Sequence, residues 1–329
     1  MSKLPSAAIR LLGCSLACTA ALFAGMAAAE YPEKPIRIVT PFPAGSVADV
    51  VARPIATHLS ETWGQPVVVD NRGGAGGTIA AEIVAKSLPD GHTLLIGANG
   101  PNAVNPSLIK NLPYDSQRAF AGITIAATTN FLLTVPSSMP VKSVRELIDV
   151  AGSKPGQLRY ATPGIGSTPH LAGELFKSLA RVDMVHVPYK GSTQYVVDLV
   201  AGRIDVCICG AGPLLPHIKA GRLRLLAVSA GTRDPTLPGV PTISEEGVPG
   251  FDVVGWFGLL APARTPAPVV RKLHAEVVRI LAQASVKAIY LNAGLETVSS
   301  SSPAEFSEFI RRERDKWAKV IKAANIRIE

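Results

Sequence analysis

Apolar and polar residues along the chain form blocks that predict short strands, each followed by a turn and a helix. In the clearest block, the apolar residues at 36, 38 and 39 predict a strand, and residues 41–45, with two prolines and a glycine, predict a tight turn. A helix is predicted to begin after Ser46, because serine is a preferred N-cap residue and Asp49 falls in the first turn. A helix start carries unpaired backbone N–H groups and the positive end of the dipole, so this turn is expected to bind an anion.

A second block repeats this arrangement more than a hundred residues later. Residues 158–161 predict a short strand, residues 162–166 a turn, and Ser167 an N-cap for a helix over residues 168–179. Two such anion-binding turns indicate two α/β lobes that face one small acid.

The rest of the chain continues the alternation of strands and helices. Further strands are predicted at 67–69, 93–96, 132–135, 184–187, 204–208, 224–228 and 253–260. Helices are predicted to end at 86, to begin at 143 and to cover 192–201, and the chain is predicted to be mostly helical from 268 to 324. This pattern is typical of a mainly parallel sheet flanked by helices. Ligands of such sheets bind outside the carboxyl ends of the strands, where the glycine-rich residues 73–77 and 97–100 also lie.

The pattern of the first 29 residues is typical of a secretory signal peptide. Lys3 and Arg10 precede an apolar segment that ends in three alanines, so cleavage is expected before Glu30 and export to the periplasm follows. A retained membrane anchor is the alternative, since this segment is almost long enough to span a bilayer. Cys14 and Cys18 are expected to leave with the signal, and Cys207 and Cys209 are expected to be buried thiols.

Charge and motifs exclude several classes of function. The net charge of +8 mildly favours anionic ligands, but no basic run with interleaved aromatic residues is present, so nucleic acid is not an expected partner. The glycine-rich residues 73–77 do not complete the dinucleotide-binding motif because Ile79 occupies its third glycine position, and no cofactor is expected. The six histidines lack the spacing of a metal site.

Motifs for an exported enzyme are present only in part. Ser107 and Lys110 match S-x-x-K without its partner motifs, and Ser229 lacks the first glycine and the following helix of a nucleophile elbow. The sequence therefore favours a binding protein over an enzyme. An exported α/β hydrolase-like enzyme and a ligand-presenting sensory module remain as alternatives.

Asp49 and His170 each have two interpretations. Asp49 either caps free N–H groups of its helix or contacts the ligand. His170 lies in the first turn of its helix, where the dipole disfavours a charged imidazole, and it either braces the loop or contacts the ligand.

Four segments together resemble the Bug, or TctC-like, family of extracytoplasmic solute-binding proteins of tripartite tricarboxylate transporters. Residues 41–49 resemble its P-F-P-A-G-G-x-x-D signature, residues 71–77 its N-R-x-G-A-G-G loop, residues 164–172 its G-x-G-S-x-x-H-L-A segment, and residues 187–191 its V-P-Y-K-G. This chain departs from the family in two places. Ser46 stands where a second glycine is common in the family, and residues 207–211 replace a segment that in the family often carries aspartate or other polar residues.

The resemblance implies a two-lobed periplasmic binding protein fold of type II, the Venus flytrap. Lobe 1 would comprise residues 30–126 and 253–329 and lobe 2 residues 127–252, with crossings near 125–130 and 252–256. A monomer would close over a small carboxylate, partly through water, and deliver it to membrane permease subunits of the transporter. The ligand-binding residues are then expected to be Phe42, Ala44, Gly45, Ser46, Asp49, Gly77, Asn99, Gly164, Gly166, Ser167, Thr168, His170, Tyr189 and Gly210.

Overall fold

The computed structural model describes residues 31–189, 192–323, 325 and 326. The predicted signal peptide and its cleavage site lie outside the described residues, as do Lys190 and Gly191 of the V-P-Y-K-G segment. Within the described part of the chain, no helix is both long and apolar enough to cross a membrane.

Ten strands and ten α-helices alternate along the described chain. The strands are β1 (Ile36–Thr40), β2 (Val67–Asn71), β3 (Thr93–Ala98), β4 (Phe120–Pro136), β5 (Arg159–Thr162), β6 (Val185–Pro188), β7 (Val206–Gly210), β8 (Leu223–Val228), β9 (Val254–Pro262) and β10 (Glu296–Thr297). The α-helices are α1 (Val47–Trp63), α2 (Thr78–Ala85), α3 (Asn105–Leu108), α4 (Val144–Ser153), α5 (Thr168–Ala180), α6 (Ser192–Val200), α7 (Ala211–Lys219), α8 (Ala267–Leu281), α9 (Ala284–Asn292) and α10 (Pro303–Ala323).

The strands form one sheet in the order β2-β1-β3-β9-β4-β7-β5-β6, and both β8 and β10 also pair with β4. On one side, β1 pairs in parallel with β2 and β3. On the other side, β5 pairs in parallel with β6 and β7. Two parallel units are therefore joined through the antiparallel strands β9 and β4.

Strand β4 belongs to both units. Residues 120–130 pair with β9, and from Phe131 onward the strand pairs with β7 and, on its second edge, with β8. The sequence indicated only residues 132–135 as a strand, so the first half of β4 was missed. The short β10 was missed as well.

The other predicted strands and helices are confirmed within a few residues of their predicted ends, but the mostly helical segment predicted from 268 to 324 is divided into α8, α9 and α10, with β10 between the last two. Helix α1 begins after the predicted N-cap, Ser46, whose hydroxyl accepts a hydrogen bond from the backbone N–H of Asp49. The helix buries Val51, Ile55 and Leu59 completely, at the i, i+4 spacing that places side chains on one face. Each such burial stabilises the fold by about 1.5–3 kcal/mol, which fixes α1 against the sheet.

The prediction of free thiols at Cys207 and Cys209 is wrong. The two residues form a disulfide, with their Cα atoms 5.6 Å apart. They lie on one face of β7, since side chains two positions apart in a strand point to the same side. Their separation lies within the range that a disulfide can bridge, which the alternation of side chains along the strand does not reveal.

Candidate functional site

The carboxyl ends of the two parallel units meet at the middle of β4. Strand β3 ends at Ala98, which pairs with Phe257 of β9, and Phe257 in turn pairs with Ala127 of β4. Strand β7 runs antiparallel to β4 and ends at Gly210, which pairs with Phe131. Ala127 and Phe131 are four positions apart, about 13 Å along a strand. The loops that follow the two sets of parallel strands therefore approach each other from opposite directions.

The first loop follows β1 and contains four of the predicted ligand-binding residues, Phe42, Ala44, Gly45 and Ser46. Phe42 is half-buried against the core, whereas Ala44 and Gly45 are exposed. Gly45 has φ +78°, a conformation that only glycine adopts readily. This turn directs the chain from β1 into α1 and leaves the start of the helix at the surface.

Asp49 braces the first loop from behind. Its carboxylate accepts hydrogen bonds from the Gly45 N–H at 2.9 Å, the Arg53 Nε at 2.8 Å and the Asn71 side-chain amide at 3.0 Å. The side chain of Asp49 is 4% exposed, and burial alone would raise its pKa. The hydrogen bonds from Arg53, Gly45 and Asn71 outweigh burial and hold the pKa of Asp49 below its usual value. The Asp49 carboxylate thus holds the residue before the N-cap, not the first N–H groups of its own helix.

The loops after β1, β2 and β3 contact one another at Gly77. A Cβ atom added to Gly77 would lie 2.9 Å from the Pro41 side chain and 3.1 Å from the Pro101 side chain. Real Cβ atoms essentially never come as close as 2.9 Å, so this position requires glycine for packing as well as for its φ of +90°. Gly77 therefore shapes the site through contact between loops.

The second loop follows β5 and contains Gly164, Gly166, Ser167 and Thr168. Ser167 is the N-cap of α5: its hydroxyl accepts from the His170 N–H at 3.3 Å and donates to the Gly164 carbonyl at 2.6 Å. Gly166 has φ +77°, almost the same as the corresponding glycine of the first loop. The predicted similarity between the two loops is confirmed at the N-caps.

His170 braces the second loop. The Gly166 N–H donates to the His170 Nδ1 at 3.1 Å, and the side chain is buried. Burial lowers the pKa of His170, and the charge of Lys177 lowers it further, against the opposing effect of Glu174. The bracing interpretation of His170 is therefore the one that the geometry supports.

Two other predicted residues lie beside the second loop. The Tyr189 N–H donates to the Thr162 carbonyl at 2.9 Å, and its hydroxyl donates to Asp198 at 2.8 Å. Burial, together with this bond to Asp198, raises the pKa of Tyr189 to about 12. Gly210 is the N-cap of α7, and an added Cβ there would meet nothing within 4 Å. The space around Gly210 is therefore open, and its contact with ligand stays a prediction.

Asn99 lies at the predicted end of β3, but its side chain is engaged elsewhere. Its amide nitrogen donates to the Val254 carbonyl at 3.1 Å, and its oxygen accepts from the Trp256 N–H at 2.9 Å. A longer bond of 3.4 Å reaches Glu313 of α10. Asn99 thus ties β3 to β9 and α10, and its contact with ligand stays a prediction.

Three residues that hold the loops were not among the predicted site residues: Asn71, Thr162 and His186. The Thr162 hydroxyl accepts from the Gly164 N–H at 3.3 Å and lies 2.7 Å from the His186 Nε2. Asn71 and Thr162 each end a strand immediately before or within a glycine-rich turn, and that position is the signal by which they could have been found. His186 lies inside a strand, where the sequence carries no such signal.

Acid is expected to destabilise the protein through His186. Burial, with the repulsion that a protonated His170 and the charge of Lys177 would exert, lowers the pKa of His186 from 6.5 to about 4. Between these pH values the unfolded chain binds more protons than the folded chain, so stability is complete above pH 6.5 and falls as the pH decreases. The loss from His186 should be roughly 1 kcal/mol for the first pH unit below that point.

Urea unfolding at several pH values would measure this dependence. The His186→Gln variant should lose much of the dependence, whereas His58→Gln, a change in α1, should retain it. Equal pH dependence in the wild type and His186→Gln would contradict the assignment.

Comparison with known proteins identifies the family. The family described as "Tripartite tricarboxylate transporter family receptor" matches residues 51–326. The solved structure of R. palustris Rpa4515 with adipate is 38% identical, with a TM-score of 0.79 over 91% of this chain and 99% of that one. The periplasmic binding protein BugD is 32% identical, with a TM-score of 0.76 over 91% of this chain and 100% of that one.

A third similar structure is MatC (Rpa3494) from Rhodopseudomonas palustris with bound malate. It is 33% identical, with a TM-score of 0.75 over 88% of this chain and 100% of that one. These likenesses confirm the predicted α/β periplasmic binding protein fold. The chain belongs to the tripartite tricarboxylate transporter receptor family and is a periplasmic solute-binding protein, not an enzyme.

Proposed function

We propose that this protein captures a small dicarboxylate between two lobes and delivers it to the permease subunits of a tripartite tricarboxylate transporter. The observation that carries the proposal is the approach of two capped, glycine-containing loops from opposite sides of β4. Each loop opens a helix whose first N–H groups have no partner within the helix and favour an anion. A carboxylate between them would satisfy donors from both sides.

The lobes we propose are residues 30–126 with 253–329, and residues 127–252. Support comes from β4, whose pairing changes from β9 to β7 between Asn130 and Phe131, and from β9, which begins at Val254. The two crossings lie side by side, since Asn130 pairs with Val254. A small rotation at these adjacent strands would open and close the lobes.

The proposed ligand class is an aliphatic dicarboxylate. The relatives Rpa4515 and MatC were solved with adipate and malate, both of which are dicarboxylates. The apolar side chains of Val47 and Ile165 stand at the two helix-opening loops and are 37% and 56% exposed, so they could contact an aliphatic body. The N–H groups of the two N-cap serines and of the glycines before them already donate within their own loops. One carboxylate would therefore bind the first N–H groups of the two helices, at Val47, Ala48 and Thr168. The residues near Tyr189 and Gly210 would face the rest of the ligand.

Titration calorimetry with adipate and malate would test the function. The diol with the same chain length as adipate is the matched control, because it keeps the aliphatic body and lacks both carboxylates. We expect binding of at least one dicarboxylate, none of the diol, and recovery of the ligand unchanged. Equal binding of the diol, or chemical conversion of the ligand, would contradict the proposal.

Small-angle scattering of the exported protein would test closure. A ligand shifts an open–closed equilibrium only through its greater affinity for the closed form, so a bound dicarboxylate should make the protein more compact. Native mass spectrometry should show a monomer, and the intact mass of the chain should show that it begins at Glu30. Capture of permease subunits would distinguish transport from a sensory role, in which a receptor would be captured instead.

A further inference from the structure

The two loops share a brace but differ in its chemistry. In each loop the glycine before the N-cap donates its N–H to the side chain four residues later: Gly45 to Asp49 at 2.9 Å, and Gly166 to His170 at 3.1 Å. The first acceptor is a carboxylate and the second is an imidazole nitrogen. A carboxylate accepts over the whole physiological pH range, whereas an imidazole nitrogen accepts only without a proton.

The bond from Gly166 therefore fixes the state of His170. Its Nδ1 has to be unprotonated, so the single ring proton lies on Nε2. Protonation would place an N–H at Nδ1 against the N–H of Gly166, donor against donor. The loop would then have to turn away from the geometry that presents its backbone to a ligand.

A second histidine supports the same loop from β6. The rings of His170 and His186 stack with centroids 4.1 Å apart and an angle of 19°. His186 also stacks on Tyr160 and lies 2.7 Å from the Thr162 hydroxyl, which accepts from the Gly164 N–H. Two positive charges at this separation repel each other, so the stacked pair favours its neutral form.

The other charged groups around the pair do not cancel this preference. On α5 itself, Glu174 favours a charged His170 and Lys177 opposes it, and these two residues are bonded to each other at 3.1 Å. From β5, Tyr160 donates to Glu174 at 2.5 Å. Helix α10 also packs on α5, and its Glu313 and Lys316 are paired with each other. On β7, Cys207 and Cys209 are joined in a disulfide and do not titrate.

We infer that His170, supported by His186, is a positioning residue that holds the second carboxylate-binding loop in place only while its ring is neutral, so that acid weakens ligand binding. This inference rests on the proposed function. Burial lowers the pKa of both histidines, so the neutral state is the one present at neutral pH. The Asp49 carboxylate, which braces the first loop, has a pKa below 3.8 and does not titrate between neutral pH and pH 5. The loss of a brace in mild acid is therefore confined to the second loop.

The affinity for adipate at about pH 7.5 and about pH 5 would test this coupling. The variant is His170→Asn, because an asparagine side-chain oxygen can accept the Gly166 N–H in place of Nδ1 and does not titrate. At the higher pH we expect the variant to bind within about threefold of the wild type. On acidification the wild type should lose about threefold or more beyond the loss of the variant.

The comparison of the wild type with His170→Asn cancels the effect of pH on the ligand itself, because adipate gains protons equally in both experiments. An unchanged ratio of the two affinities, or a relative gain by the wild type in acid, would overturn the inference. His170→Ala should bind more weakly than His170→Asn at the higher pH, because alanine offers no acceptor. Equal affinities of these two variants would also overturn it.

NMR spectra of the ligand-free protein would test the hydrogen bond from Gly166 to His170 independently of ligand binding. Long-range ¹⁵N–¹H correlation of histidine-labelled protein should show His170 protonated on Nε2 at neutral pH, with its signals identified from the His170→Asn variant. A proton on Nδ1 would overturn the inference even if adipate binds. Failure of every dicarboxylate to bind would overturn the proposed function and the binding part of this inference, while the same spectra would still report on the brace.

Discussion

Replacing Gly166 or Gly45 by valine is expected to lower the affinity for adipate about 100-fold, or ~2.7 kcal/mol. Both residues have a φ near +78°, at +77° and +78°, where a β-branched side chain is strained by about 1–3 kcal/mol. An added Cβ at Gly45 would meet nothing within 4 Å, so the cost there is conformational and not a clash. The loop relieves the strain by moving, and its backbone donors then leave the positions that the carboxylate requires.

Gly152→Val is the matched control for both variants. Gly152 lies in the last turn of α4, its φ is not positive, and an added Cβ would meet nothing within 4 Å. Valine is tolerated in a helix at least as well as glycine, so this variant should fold and bind like the wild type. Calorimetry on variants whose circular dichroism is unchanged would make the comparison. If both loop variants bind normally, the carboxylate is held elsewhere.

The two loops could be predicted from the sequence because the interactions that form them are local. Ser46 and Ser167 each bond a backbone N–H only three residues away, and the prolines and glycines before them determine the turns. The braces at Asp49 and His170 are also only four residues from their glycines. Residue type and spacing within a short window are therefore sufficient to locate both parts of the candidate site.

What the sequence did not predict depends on partners far along the chain. The first half of β4 consists mainly of small and polar residues, and it becomes a strand through pairing with β9, more than a hundred residues later. The position of Asn99 after β3 predicts contact with a ligand, yet its side-chain oxygen accepts a hydrogen bond from the N–H of Trp256, 157 residues away. The stacking of His170 on His186 likewise requires two elements to pack before it exists. No local pattern contains this information.

Asp49→Ala is expected to destabilise the fold by about 2–4 kcal/mol and to lower ligand affinity at least tenfold, or ~1.4 kcal/mol. The change removes the acceptor for the Gly45 N–H and the Asn71 amide, and it leaves Arg53 without its carboxylate. Asp49→Asn should have a smaller effect, since one oxygen remains to accept while the new amide opposes the other donors. Urea unfolding would give the stability and calorimetry the affinity.

Glu308→Ala is the control for loss of an ion pair at the surface. Glu308 pairs with Arg311 on α10 and is 44% exposed, so its removal should change stability by less than about 1 kcal/mol.

The pH dependence of stability separates the Asp49 brace from the His170 brace. Because the pKa of Asp49 lies below its usual value of 3.8, its contribution is complete above that pH and is lost only as the pH falls further. The difference between Asp49→Ala and the wild type should therefore be constant from about pH 5 to 8. If the difference in stability between Asp49→Ala and the wild type becomes smaller below pH 6, then the charge of Asp49 is not constant in that range. Asp49 would then titrate as well, and the assignment of the pH-dependent brace to His170 alone would be wrong.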